Sequence, residues 1–251
     1  VVFAELGDRI TVSPAARSSL VIDGPFAGDL AADADNLVLQ AAALMGVTAA
    51  IRLEKNLPVA SGIGGGSADA AATLRALSTM ADAPLPERAD LLKLGADVPV
   101  CLHGQPVRMR GIGEELDPLP ALPPLWVVLV NPRVSCPTPR IFAALEDRNQ
   151  PGLGDLPKGL VTAADVTSFL KTTRNDLQAP AILQLPQIAR AISALGQTQG
   201  CMLARMSGSG ATVIGLYQHQ DVALSAADAL RTTHPRWWIA AAPLARPLAE
   251  G

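Results

Sequence analysis

Pro58-Val59-Ala60-Ser61-Gly62-Ile63-Gly64-Gly65-Gly66-Ser67-Ala68-Asp69-Ala70-Ala71 is the stretch on which the fold turns. A glycine-rich loop runs without a break into an alanine-rich helix. Gly62, Gly64, Gly65 and Gly66 carry no side chain to shield their N–H groups, so the backbone can close around an anion. Ser67 stands where a helix can begin, and the unpaired N–H groups and dipole of a first turn favour phosphate. A mobile surface loop is the alternative, because glycine-rich loops also occur without ligands. The pattern is not a P-loop, since no Lys-Ser/Thr pair follows the glycines. Gly62-x-Gly64-x-x-Ser67 also lacks the third glycine of a dinucleotide fingerprint. The loop points to phosphate without naming a chemistry.

The 251 residues suffice for one large or two small domains with a sizeable core. Hydrophobic residues make up 49% and charged residues 17%, and a net charge of −3 with no basic tract argues against nucleic-acid binding. Val1-Val2-Phe3-Ala4-Glu5 meets a charge at once and does not read as a signal peptide. No apolar run reaches the roughly 18 residues that a membrane span needs. Cys101, Cys136 and Cys201 share no short spacing, which reads as reduced thiols in a cytoplasmic protein. Each reads as a small buried hydrophobe rather than a ligand. His103, His219 and His234 form no metal motif, and the metal ligands are left unassigned.

The pattern predicts strands at 1–6, 9–13 and 49–54, and a helix over 37–45 with Asp35 as a cap. It also predicts helices at 68–80 and from 86 to 94, and strands at 98–102 and 106–109. Pro118 to Pro124 holds four prolines in seven residues and is the linker candidate. Beyond it, Leu125 to Val130 reads as a central strand. Further expected elements are helices at 139–145, 182–195 and 221–230, and strands at 203–206, 211–217 and 237–242. That order fits a split α/β sandwich with one antiparallel sheet and helices on one face.

Asp97, in Gly95-Ala96-Asp97-Val98-Pro99, is either a structural cap or an acid facing the phosphate loop. A carboxylate that orients an alcohol is sufficient for phosphoryl transfer, which depends mainly on positioning and charge. Ser207-Gly208-Ser209-Gly210 is a tight hairpin or a second backbone clamp on phosphates. Thr138 and Phe142 offer a hydroxyl and a ring on a proline-constrained segment. Phe142 is either core or a stacking surface for a flat base. Trp237 and Trp238 read as structural. Asn36 and Lys55 flank the phosphate region and either touch a nucleotide or are solvated.

Four segments together are similar to the GHMP small-molecule kinase superfamily. They are Pro58 to Ala71, Leu94-Gly95-Ala96-Asp97-Val98-Pro99, Val134-Ser135-Cys136-Pro137-Thr138-Pro139-Arg140-Ile141-Phe142 and Met206-Ser207-Gly208-Ser209-Gly210-Ala211. The resemblance runs from Val2 to Leu244. It implies an α+β GHMP kinase fold, with a ribosomal-protein-S5-domain-2-like N-terminal domain over 1–123 and a ferredoxin-like split α/β C-terminal domain over 124–247. It implies ATP and Mg²⁺ as cofactors. The ATP phosphates would be wrapped by Pro58, Ala60, Ser61, Gly62, Gly64, Gly65, Gly66 and Ser67, with Asn36 near adenine. Asp97 would be the catalytic, substrate-contacting carboxylate. Thr138 and Phe142 would hold a cytosine, and Ser207, Gly208, Ser209 and Gly210 would complete the substrate site.

The second and third segments narrow the resemblance to the branch that phosphorylates the 2-hydroxyl of 4-diphosphocytidyl-2-C-methyl-D-erythritol in non-mevalonate isoprenoid biosynthesis. The expected partner is thus a small cytidine-diphosphate-linked substrate, with no nucleic acid and no membrane, acted on by a monomer or weak homodimer. Two alternatives are another GHMP kinase, for mevalonate, homoserine or a sugar, and a non-catalytic or assembling nucleotide-binding protein. The family's opening Lys-Ile-Asn strand, whose lysine positions the aspartate, and its Gly-Tyr-His segment have no match here. The chain opens roughly 30 residues late by family comparison. These 251 residues alone are expected to be inactive.

Overall fold

The computed structural model describes residues 1–147, 149–157 and 159–245. They separate into two compact units, Val1–Val59 with Gly64–Leu119, and Ala60–Ile63 with residues 120–245.

The first unit opens with strands β1 (Arg9–Pro14) and β2 (Ser19–Asp23), then helix α1 (Leu37–Met45), strand β3 (Ala49–Glu54) and helix α2 (Gly65–Ala81). β3 lies in the middle of the sheet, antiparallel to β1 and parallel to β2. Ile51 and Leu53 of β3 pack with Val38 and Ala42 of α1 and Leu77 of α2. Burying each such branched side chain contributes about 1.5–3 kcal/mol. Two short helices follow, α3 (Arg88–Leu94) and α4 (Val98–His103), then a hairpin of β4 (Val107–Arg110) and β5 (Glu115–Pro118). A second cluster joins Ala41, Ala70, Leu74, Leu91 and Val98, so α4 is fixed to the flank of α2.

The second unit holds β6 (Trp126–Asn131), the helices α5 (Thr138–Ala143), α6 (Ala163–Lys171), α7 (Gln178–Gln184) and α8 (Gln187–Gly196), the strands β7 (Leu203–Met206) and β8 (Val213–Tyr217), helix α9 (Gln220–Thr233) and strand β9 (Trp238–Pro243). The sheet order is β7-β8-β6-β9, antiparallel throughout. β6 is a central strand, and its run Val127 to Val130 is buried on both faces. Ile188, Ala191 and Leu195 of α8 and Ala223, Ala227 and Leu230 of α9 pack into the same core.

Several expectations require correction. Residues 98–102 form a helix, not a strand: Pro99 sits in the first turn, where its missing N–H costs nothing, and Gly104 closes the helix in the left-handed conformation. Residues 1–6 make no strand; Val1 exchanges backbone hydrogen bonds with Val107, and only Ala4 forms a bridge. The cap of α1 is Asn36, not Asp35, and its side chain accepts the N–H of Val38. α2 begins at Gly65, earlier than expected, from a left-handed Gly64. β2 and α6 were not expected. The helix expected over 182–195 breaks at Leu185, because Pro186 starts α8.

Candidate active site

α2 starts with no side-chain cap, and its first turn carries no acidic residue. The first backbone bond into it runs from the N–H of Ala68 to the carbonyl of Gly64, leaving the start of the helix open to an anion. Gly64 has φ +72° and open space where a side chain would stand. Ser67 lies in this first turn, and a side chain on Gly95 would meet its hydroxyl at 3.8 Å. Asp97, half-buried, is the N-cap residue of α4 and makes no side-chain cap bond of its own.

Beneath the start of α2 lies a buried charge triad that the residue pattern did not reveal. Lys55 Nζ pairs with Asp8 at 2.5 Å and with Asp69 at 2.8 Å, and all three side chains are at most 5% exposed. Asp8 uses its second oxygen to accept the N–H groups of Asn56 and Leu57 at 2.6 and 2.8 Å. The strap thus ties the chain just ahead of the glycine loop to the first turns of α2. Burial pushes the Asp69 carboxyl up to about 7; Lys55 pulls it down and Asp8 pushes it up again. One ammonium between two carboxylates leaves a surplus negative charge, and a proton on Asp69 removes it. Lys55 is therefore neither solvated nor open to a ligand. Asn36 is similarly engaged, since its amide nitrogen donates to the carbonyl of Ala31 while its oxygen caps α1.

The second unit contributes its own constellation. Residues 207–212 link β7 to β8 and pack directly on Ala60–Ile63. Ser207 Oγ donates to the carbonyl of Gly62 at 2.9 Å, and the N–H of Thr212 donates to that of Ser61 at 3.1 Å. A side chain on Gly62 would lie 2.6 Å from the carbonyl oxygens of Gly210 and Ser207, so only glycine admits this approach. Thr138 Oγ1 and Ser209 Oγ are 2.7 Å apart, which joins the start of α5 to the same hairpin. Asn175 donates to the carbonyls of Met206 and Gly208 at 3.0 and 2.8 Å, and Asn131 holds Thr212 at 3.0 Å. Neither asparagine was expected. Their signal is only that polar side chains near a sheet end need partners.

Of the expected site residues, Gly64, Gly65, Gly66 and Ser67 make up the start of α2 in the first unit, and Asp97 stands at the head of α4, which packs on α2. In the second unit Ser61, Gly62, Ser207, Gly208, Ser209, Gly210 and Thr138 form one network. Pro58 is buried, Ala60 is exposed with φ +49°, and Phe142 is 49% exposed on α5. Among the described residues no group of three or more His, Cys, Asp or Glu could hold a metal. No helix among them is long and apolar enough to cross a membrane.

Comparison with known proteins agrees with this architecture. Residues 36–107 match the GHMP kinases N terminal domain, and residues 161–236 match the GHMP kinases C terminal domain. The chain is 54% identical over 247 residues to a 4-diphosphocytidyl-2-C-methyl-D-erythritol kinase of Cereibacter sphaeroides, covering 98% of this chain and 89% of the relative. It is 52% identical to that of Paracoccus denitrificans, covering 98% and 86%. A crystal structure of 4-(cytidine 5'-diphospho)-2C-methyl-D-erythritol kinase superposes with a TM-score of 0.72 at 32% identity, covering 94% of this chain and 85% of that one. Homoserine kinase from Cytophaga hutchinsonii shares the fold, with a TM-score of 0.72 at 19% identity and coverage of 96% and 87%. An open, glycine-floored helix start, a carboxylate at its side and identity sustained along nearly the whole chain lead to one conclusion: the chain belongs to the GHMP kinase family of ATP-dependent small-molecule kinases.

Proposed function

We propose that this chain transfers the γ-phosphoryl group of ATP to the 2-hydroxyl of 4-diphosphocytidyl-2-C-methyl-D-erythritol, in the cytoplasm, as a monomer or weak homodimer. The observation that carries the reading is the uncapped start of α2 with Ser67 in its first turn and Asp97 on the packed neighbour α4. The N–H groups of that turn bind phosphate oxygens. Asp97 orients the acceptor hydroxyl and takes its proton late in the transfer, a task that suits a carboxylate in a loose transition state. Thr138 and Phe142 select the cytosine, and the 207–210 backbone lines the substrate side.

The residues present fit ATP, because glycine flooring leaves donors unshielded. They also fit Mg²⁺, which commonly takes most of its oxygens from phosphates and water, with few from protein. The Ser67 hydroxyl and the Asp97 carboxylate are the donors that would hold it, and when bound it neutralises charge on the phosphates.

The test is ADP release by the full-length protein with four acceptors: the cytidine-diphosphate-linked alcohol, mevalonate, homoserine and galactose. Turnover with the first alone, inhibited by CMP, is the expected result. Turnover on another acceptor with no response to cytidine nucleotides would assign a different kinase of the family. Nucleotide-driven assembly without ADP release would replace catalysis by a scaffolding role.

A further inference from the structure

The turn between β7 and β8 is held from outside by the chain that leads into α7. Asn175 Nδ2 donates to the carbonyls of Met206 and Gly208 at 3.0 and 2.8 Å, while its Oδ1 accepts the N–H of Leu177 at 3.0 Å. Gln178 Oε1 accepts the N–H of Met206 at 3.0 Å. Arg205 of β7 in turn donates to the carbonyls of Leu170 and Thr173 at 2.6 and 2.9 Å, and to Thr173 Oγ1 at 2.7 Å. β7 is an edge strand, so the two contacts to Met206 pair backbone groups that a further strand would otherwise take. The contact to Gly208 is different, because Gly208 lies beyond the strand, in the turn.

The neighbouring carbonyls of the turn are also occupied. That of Ser207 accepts the N–H of Gly210 at 2.9 Å, and that of Ser209 accepts the S–H of Cys136 at 3.1 Å. Two donors are left over. Among the described residues the N–H groups of Gly208 and Ser209 meet no acceptor. Ser209 is 7% exposed, and an unpaired N–H in a buried residue is rare. The peptide joining Gly208 to Ser209 is trans and planar, so its carbonyl and its N–H point in opposite directions. Asn175 takes the carbonyl. The Ser209 N–H is thereby turned away from Asn175, and it cannot swing round without breaking the 2.8 Å bond.

We infer that Asn175 is a positioning residue: its grip on the Gly208 carbonyl aims the Ser209 N–H at a phosphate oxygen of a bound reactant. An amide fixed before the ligand arrives needs no reorganisation on binding, and a hydrogen bond to a charged oxygen is worth roughly twice a neutral one. Adjacent backbone N–H groups are a recurrent means of holding phosphate. The inference rests on the proposed reading, in which the 207–210 backbone lines the substrate side. Ser209 Oγ lies 2.7 Å from Oγ1 of Thr138, the residue assigned there to the cytosine. The diphosphate linked to that cytidine is therefore the expected ligand, and ATP is the other source of the same oxygens.

Calorimetric titration of the full-length protein with CDP, cytidine, ADP and adenosine isolates the phosphate contribution as two affinity ratios, CDP over cytidine and ADP over adenosine. Asn175→Asp keeps the volume and the acceptor for Leu177 but removes both donors. It should lower the CDP ratio about tenfold, the worth of one charge-assisted bond, and leave cytidine itself within about twofold. KM for the cytidine-linked alcohol should rise with kcat little changed, as loss of a contact made equally in ground and transition states requires. Gln178→Met breaks the Met206 contact on the same flank without touching the 208–209 peptide, and it should lower the melting temperature with both ratios intact. A fall confined to the ADP ratio would place the contact on ATP. Unchanged ratios in Asn175→Asp, a parent that prefers neither diphosphate, or equal changes in Gln178→Met would overturn the inference, because Asn175 would then only support the fold. A parent that binds CDP and ADP with these preferences but does not phosphorylate the cytidine-linked alcohol would overturn the proposed function and leave the role of Asn175 standing on the ratios. If Asn175→Asp does not fold, Asn175→Ser decides by the same ratios, since its hydroxyl can accept from Leu177 but is too short to bridge both carbonyls.

Discussion

Replacing Lys55 by methionine should be among the most damaging single changes in the first unit. The ammonium is 3% exposed and sits 2.5 and 2.8 Å from two carboxylates that are themselves buried. Methionine fills most of the volume but leaves Asp8 and Asp69 facing each other with no cation. Removing one partner of a buried ion pair costs about 3–5 kcal/mol, set against a total stability of about 5–15 kcal/mol. Asp69→Asn removes the surplus charge instead. It leaves one ammonium with one carboxylate, and asparagine keeps an oxygen to accept from Lys55, so its cost should be under about 1.5 kcal/mol. The assay is urea unfolding at pH 7, followed by circular dichroism, for parent and both variants. The slope against urea should stay constant and the midpoint should fall steeply for Lys55→Met and slightly for Asp69→Asn. A Lys55→Met protein within about 1 kcal/mol of the parent would refute the reasoning, since its loss then lies far below the buried-pair range. So would equal losses in the two variants, because equal losses would mean that charge balance does not govern this cluster.

The same triad sets a pH dependence. Folding raises the Asp69 carboxyl to about 7, so the native state holds its proton where the unfolded chain has lost it. This contribution therefore falls as pH rises from the ordinary carboxylate range through about 7. Unfolding free energies measured from pH 4.5 to 8 should slope downward in the parent and flatten in Asp69→Asn, and parallel slopes would contradict the assignment. Gly62→Ala forces a side chain to within 2.6 Å of two carbonyl oxygens at φ +74°. Left-handed strain and overpacking together should cost about 2–5 kcal/mol, read as a lowered melting temperature; an unchanged melting temperature would mean that the two loops part freely. Asp97→Asn in the full-length protein should lower kcat by about 10²–10⁴-fold while ATP still binds, as loss of a proton acceptor requires. Stopped-flow binding beside steady-state turnover separates the two, and unimpaired turnover would remove Asp97 from the chemistry.

Local chemistry made some features legible and hid others. The glycine loop and β6 stood out because one has no side chains to mislead and the other is apolar throughout. α4 reads as a strand because Val98 to Leu102 is a short continuous apolar run, which a buried helical turn shares with a buried strand; Pro99 is the better signal. β2 was overlooked although Leu20 and Ile22 alternate with exposed Val21, because its parallel partner β3 is distant in sequence. α6 was overlooked although Thr162 and Asp165 form a capping box at its start. At the site, Asp97 and Ser67 were visible as residue types in a pattern. The Asp8–Lys55–Asp69 strap was not, since its members lie 47 and 14 residues apart and charge alone does not disclose burial.

Ser207 reaches Gly62 across 145 residues of chain. A ribosome adding about 5–20 residues per second needs roughly 7–30 s to cover that span. From Leu119 onward in that interval every described residue of the first unit has been polymerised, while the clasp that receives Gly62 does not yet exist. Truncated products released in this window carry the loop without its anchor, and their unclasped backbone is open to proteases that clear unfinished chains.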